Sequence, residues 1–220
     1  MRSARRHTAT RRGRDQALED LRREKGRATR ERLIGAGREL FGSRGYDATS
    51  IDAVLDLAGV TRGGLYHHFD SKKALFDAVL DQVVGDVSDS VVAAARGLDP
   101  VAALRAGCTA WLQAAMDSAV QRIVLLDPPS VVGWTRWREI DELRTLGGLR
   151  RNLQRIARTG RIPIGQVELL AHIILASVSE VAMHIARADD QAEALNAGQA
   201  ALDLLLDRLV EPAEIREPVQ

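Results

Sequence analysis

The sequence predicts an all-α protein, and three observations carry that prediction. Ala, Arg and Leu dominate the 220 residues, with only six prolines and 4% aromatics, a composition that favours helices. Apolar residues recur at the three- and four-residue spacing of one helix face in segment after segment. Between the segments stand helix punctuation residues, Thr, Ser or Asp at the starts and Gly or Pro past the ends. With 45% hydrophobic residues the chain can bury one large core, or a small one and a larger one.

Residues 1–26 read as a basic arm. The first 30 residues hold eleven Lys/Arg against four Asp/Glu, a surplus of seven, so the other 190 carry −6 within the overall +1. Residues 1–14 have no hydrophobic period and are expected to be disordered. Leu18 and Leu21 are the only apolar anchors of 15–26. Such an arm is either a solvated tail or a segment that reaches phosphates or the minor groove. From Ala28 to Ser43, Leu33, Ala36, Leu40 and Phe41 keep helical spacing up to Gly45.

The next stretch is the most informative. Ile51, Val54, Leu55 and Ala58 define one face of a short helix. Thr49 is expected to cap it, Asp52 three residues later completing the capping signature, and Gly59 closes it. Val60 enters a tight turn before Thr61 caps a second short helix running to His68. Two short helices joined by such a Gly-containing turn form a helix-turn-helix, whose second helix lies in the major groove of double-stranded DNA. Leu65 and Phe69, four apart, pack inward and leave Arg62, Gly63, Tyr66 and His67 outside. Arg62 can bond guanine O6 and N7 together. Tyr66, His67 and His68 can donate to phosphates, and Lys72 suits a phosphate too. A plain helical hairpin within a core would carry the same caps and period. Ser71 then caps a long fourth helix bearing Leu75, Phe76, Val79, Leu80 and Val83.

The ordered residues Ala48-Thr49-Ser50-Ile51, Ala58-Gly59-Val60-Thr61, Gly64-Leu65-Tyr66-His67-His68-Phe69 and Ser71-Lys72-Lys73-Ala74-Leu75 resemble the TetR family of transcriptional regulators. The resemblance covers about residues 27–85. It implies an N-terminal three-helix helix-turn-helix DNA-binding domain over 27–85, and a larger C-terminal helical domain for ligand binding and dimerisation over 86–220. It also implies a cytoplasmic, nucleoid-associated homodimer on a palindromic operator, a repressor that a small-molecule effector releases. The DNA-binding residues on this reading are Thr49, Ser50, Thr61, Arg62, Gly63, Gly64, Tyr66, His67, His68 and Lys72. The family often has Ser or Thr where this chain has Gly64, so a hydroxyl contact is missing there. Gly63-Gly64 weakens the helix by about 1 kcal/mol per Gly relative to Ala, and permits close backbone approach to DNA instead.

The second half continues helical. Asp99-Pro100 begins a helix through about Asp117, since Pro is tolerated in a first turn. Ala119 to Leu126 is a shorter helix that Asp127-Pro128-Pro129 ends. Trp134 to Thr159 reads as one long helix, kinked at Gly147-Gly148. Segments 164–188 and 191–210 are apolar over much of their circumference. In the resembled family, helices at this place pair with those of a second copy; burial within a monomer is the other reading.

Regulatory cavities between helices are apolar with a few convergent polar groups. The candidates are Trp111, Met116, Arg122, Trp134, Trp137, His172, Glu180, Met183 and His184, with Arg122 as an anchor for an acidic ligand. Each is also an ordinary core or interface residue by type. Cys108 is the single cysteine, so no internal disulfide is expected and the chain suits a reducing cytoplasm. No apolar run approaches the ~18 residues of a membrane span, and no membrane partner is expected. No nucleotide-binding, catalytic or zinc motif is present, so neither catalytic residues, metal nor cofactor is expected. An architectural DNA binder, or one controlled by a partner protein without a small ligand, is the alternative function.

Overall fold

The computed structural model describes residues 3–210 and holds the helices α1 Ser3–Arg44, α2 Ile51–Ala58, α3 Arg62–Tyr66, α4 Lys72–Ala94, α5 Pro100–Ala114, α6 Ser118–Val120, α7 Pro128–Val131, α8 Trp134–Asp141, α9 Gly147–Ala157, α10 Val167–Arg187 and α11 Gln191–Val210. Two wide, π-helical segments, Gln121–Leu126 and Glu142–Leu146, continue α6 and join α8 to α9. Among the described residues there is no strand.

Helix α1 corrects one expectation. The arm expected to be irregular over 1–14 is helical from Ser3. Ala, Arg, Glu and Gln are strong helix formers, and adding residues to an existing helix avoids the cost of a new nucleus. The arm's basic side chains through Arg14 lie outside the described residues, as do residues 1–2 and 211–220. At its other end α1 stops where expected. Gly45 takes φ +80° and returns its N–H to the Phe41 carbonyl at 2.9 Å.

Two cores result. The first gathers Leu33, Leu40 and Phe41 of α1, Val54 and Leu55 of α2, Leu65 of α3, and Leu75, Phe76, Val79 and Leu80 of α4. Val120, Ile123, Val124, Val132 and Ile140 belong to that same core. Packing therefore does not divide at residue 85, because α6 and the segments after it cover the first core. The second core joins α5, α9, α10 and α11 through Leu112, Leu153, Ile156, Ile174, Val178, Ile185 and Leu206.

The prolines and glycines of the second half act somewhat differently from expectation. Asp127-Pro128 ends the π-helical segment, yet Pro128 opens a new turn, α7, as a residue without an N–H can. The 134–159 helix changes winding at 142–146, just before Gly147, and runs straight into α9. Asp77 and Asp81, one turn apart on α4, grip this region. Arg136 reaches Asp77 at 2.9 and 3.2 Å, and Arg144 reaches Asp81 at 3.1 and 2.8 Å.

By length and mean hydropathy, 1.7, the stretch Ile164–Arg187 is long and apolar enough to cross a membrane. Uninterrupted apolar runs do not reveal this, since Glu168, His172, Glu180 and His184 break them. Only 33% of its most apolar window is buried within the chain. Leu169, Ile173, Leu204 and Leu205 of α10 and α11 stand exposed.

A close helix contact tests this packing. A Cβ on Gly42 would lie 2.8 Å from Ala119 Cβ and 3.0 Å from its Cα, whereas one on Gly35, also in α1, would meet nothing within 4 Å. Gly42→Val is expected to lose about 1–3 kcal/mol in urea unfolding through overpacking. Gly35→Ala is expected to gain up to about 1 kcal/mol from helix propensity. Equal effects at the two positions would contradict the α1–α6 contact.

Candidate nucleic-acid interface and effector cavity

The reading head is set by its caps. Ser50, rather than Thr49, caps α2, its Oγ accepting the Ala53 N–H at 3.1 Å. Thr49 is 1% exposed, and its hydroxyl lies 2.8 Å from the Gly45 carbonyl and 3.1 Å from that of Leu40. Its side chain closes the end of α1, where the Gly45 carbonyl lies past the last helical bond, and is buried away from the exposed face of the helix-turn-helix. Gly59 closes α2 at φ +62°, and Thr61 caps α3 by accepting the Gly64 N–H at 3.3 Å.

Helix α3 is shorter than expected, Arg62–Tyr66, with His67 and His68 in the turn beyond. Leu65 and Phe69 are buried, while Arg62, Gly63, Tyr66 and His67 are exposed. Gly63 faces open space, so backbone can approach a partner there. A Cβ on Gly64 would stand 2.9 Å from Val60 Cγ1, which gives the missing hydroxyl a steric cause. His68 turns toward α1, near Gly26, with its ring 5.1 Å from that of His67. Burial first, then His67 and Arg30, push its pKa down.

Two cations expected to face DNA are engaged within the chain. Arg62 pairs with Asp52 of α2, both well exposed. Lys72 Nζ donates to the carbonyls of Tyr46 at 2.8 Å and Thr49 at 3.0 Å, and lies 4.1 Å from the centre of the Tyr46 ring. The Tyr46 N–H in turn donates to Asp127 Oδ2 at 3.0 Å. The link between α1 and α2 is thus held by α4 on one side and by the residue after the first π-helical segment on the other.

Deeper in the molecule lies a cavity of about 840 Å³ between α4, α5, α9 and α10. Of the nine residues read as ligand candidates, Trp111, Trp137 and Met183 line it. Met116 packs beside it against the second core. Arg122 is exposed at the α1–α6 junction, where Gly45 and Asp127 meet it, and lines no part of the cavity. Trp134 is 61% exposed, beside Trp137 and Arg138. His172 bonds Glu168 at 3.1 Å, and Glu180 and His184 are exposed on the outer side of α10. The reason is helical phase. Ile174, Leu175, Val178 and Met183 take the inner face, leaving the polar residues outside.

The sequence reading missed Ser88, Cys108, Arg144, Asn152 and Ser179, which also line the cavity. Burial first, then Asp203, push the Cys108 thiol up to about 12, so it is a neutral, weakly polar wall. Among the described residues no cluster of His, Cys, Asp and Glu has the makings of a metal site.

Comparison with known proteins follows this geometry. Residues 33–79 match the model of bacterial regulatory proteins of the tetR family, and residues 101–209 match the tetracyclin repressor-like C-terminal domain. The HTH-type transcriptional repressor KstR2 of Rhodococcus jostii is 39% identical over 97 residues, 41% of this chain and 46% of that protein. The match therefore spans about half the length of that relative. A TetR-family regulator from Pectobacterium atrosepticum, solved by crystallography, is 33% identical with TM-score 0.73, covering 86% of this chain and 98% of its own. RolR, solved with resorcinol, shares the fold at 20% identity and TM-score 0.65, covering 89% of this chain and 98% of its own.

The Lys72 contacts give a direct test. Lys72→Met is expected to lower stability by about 1–2 kcal/mol in urea unfolding, since two charge-assisted bonds are lost from a half-buried site. DNA affinity should fall with it. Unchanged stability would leave Lys72 a solvent-facing phosphate contact only.

Proposed function

This chain belongs to the TetR family of bacterial transcriptional regulators, and from that membership we propose that it is a cytoplasmic, sequence-specific repressor. It acts as a homodimer on a palindromic operator and leaves it when a small molecule enters the cavity. One observation carries the reading. Helix α4 holds the link before the reading head through Lys72, and lines the cavity with Val84, Val87, Ser88 and Val91 further along.

In the free protein Arg62 rests on Asp52. An exposed pair of this kind is worth about 0–1 kcal/mol, whereas a bidentate contact to the right base is worth about 1–3 kcal/mol. DNA therefore wins the guanidinium. Ser50 at the start of α2 and Thr61, Tyr66 and His67 around α3, all exposed, supply phosphate donors, and Gly63 admits the backbone to the groove. The exposed apolar residues of α10 and α11 suit pairing with a second copy, which sets two reading heads one helical turn, about 34 Å, apart.

Release follows from shared walls. Val124 and Leu125 of the first π-helical segment line the cavity, and Asp127 just beyond holds the Tyr46 amide. A ligand that displaces this segment or α4 acts on the same link, and the head rotates out of register. A fold neighbour holding resorcinol supports a small ligand for this architecture.

Binding-site selection on random duplexes, followed by titration of the selected site, tests the proposal. A palindrome with half-sites about one turn apart is expected, and Arg62→Ala should cost about 1–3 kcal/mol and relax one base position. Binding without an enriched sequence would overturn it.

A further inference from the structure

The cavity wall is chemically lopsided. Val84, Val91, Leu104, Leu125, Ile174 and Val178 make most of it apolar, and Cys108 adds a protonated thiol. The side formed by α9 and the α4–α5 connection is different. Arg151 and Arg155, one turn apart on α9, and Arg96, just past α4, all line the cavity and are all exposed. Asn152 Nδ2 donates to the Pro100 carbonyl at 2.9 Å, which ties this stretch of α9 to the connection that bears Arg96.

Three other arginines of this half are neutralised. Arg144 is bidentate on Asp81, Arg150 bridges Glu142 and Glu168 at 2.5 Å each, and Arg105 is held by Asp203 and Asp207. Among the described residues Arg96, Arg151 and Arg155 have no such partner. Three uncompensated guanidinium groups at one side of an apolar cavity make a positive mouth, and low-dielectric walls strengthen its field.

From this arrangement we propose that the cavity takes an amphipathic anion, an apolar body with a carboxylate, sulfonate or phosphate head. The head sits on Arg96, Arg151 and Arg155, and the body lies along α4, α5 and α10. Planar guanidinium groups suit such heads because they bond two oxygens together. The proposal rests on the reading of this cavity as the effector site, and gives that effector its chemical class.

A matched pair of fluorescent probes tests it: 8-anilinonaphthalene-1-sulfonate, and N-phenyl-1-naphthylamine, which is the same body without the sulfonate. Each is titrated into the intact protein and into Arg151→Gln/Arg155→Gln, with thermal unfolding to verify that the variant folds. The sulfonate is expected to bind about tenfold or more tightly than the neutral amine, as charge-assisted bonds require. The double variant should lose about tenfold in sulfonate affinity, with the neutral probe unchanged to within about twofold. Equal affinity for the two probes, equal losses in the variant, or no saturable binding of the sulfonate would overturn the proposal. Operator release is read separately, by anisotropy of the selected duplex. Charge-selective binding without release would contradict the effector reading and leave the ligand class standing; release by the neutral amine as well as the sulfonate would do the reverse.

Discussion

The short link from Gly45 to Ser50 carries the constraint on which the rest depends. It must leave α1, turn and present α2 and α3, and turning exposes backbone groups that no helix satisfies. Side chains from three places do so. Thr49 takes the carbonyls of Gly45 and Leu40, Lys72 those of Tyr46 and Thr49, and Asp127 the Tyr46 amide. The Tyr46 ring packs with Phe41 and Phe76 at centroid distances of 5.9 and 5.2 Å, which ties the link to the first core. The reading head is therefore held by groups that belong to both halves of the chain. A movement at either Lys72 or Asp127 reaches it without passing through a flexible joint.

Much of this was legible in the sequence. Local signals placed α2, Gly59, the Thr61 cap and the inward pair Leu65 and Phe69, because cap chemistry and helical period act over a few residues. Local signals also misled. Thr49 and Ser50 are adjacent hydroxyls that both fit a cap, and only the position of the α1 carbonyls decides that Thr49 turns inward. Lys72 looked like a phosphate ligand, since nothing in its neighbours reveals two carbonyls 26 and 23 positions upstream. The arm failed for the opposite reason. Absence of an apolar stripe was read as disorder, although a helix already begun needs only propensity to extend.

The sensor half was harder to read, and the cause is phase. Amphipathic patterns fix a helix's buried face when one face is polar, but α10 is apolar on two. Its His172, Glu180 and His184 consequently fell on the outside, while Ile174, Leu175 and Met183 line the cavity. Arg122 was read as the anchor for an acidic ligand. It lies at the α1–α6 junction, and the arginines that line the cavity without an acidic partner among the described residues are Arg96, Arg151 and Arg155, hidden among many arginines. Sequence alone cannot separate a paired arginine from an unpaired one, because the acid that neutralises it comes from another helix, as Asp81 does for Arg144.

Coupling between the cavity and the link is the central claim, and the Tyr46 amide reports on it. Its hydrogen exchange should be measured in the free protein and with the cavity filled by 8-anilinonaphthalene-1-sulfonate. Loading is expected to lower protection of that amide by about tenfold or more, equivalent to about 1.4 kcal/mol, as the Asp127 contact opens. Release of the operator with Tyr46 protection unchanged would contradict the account.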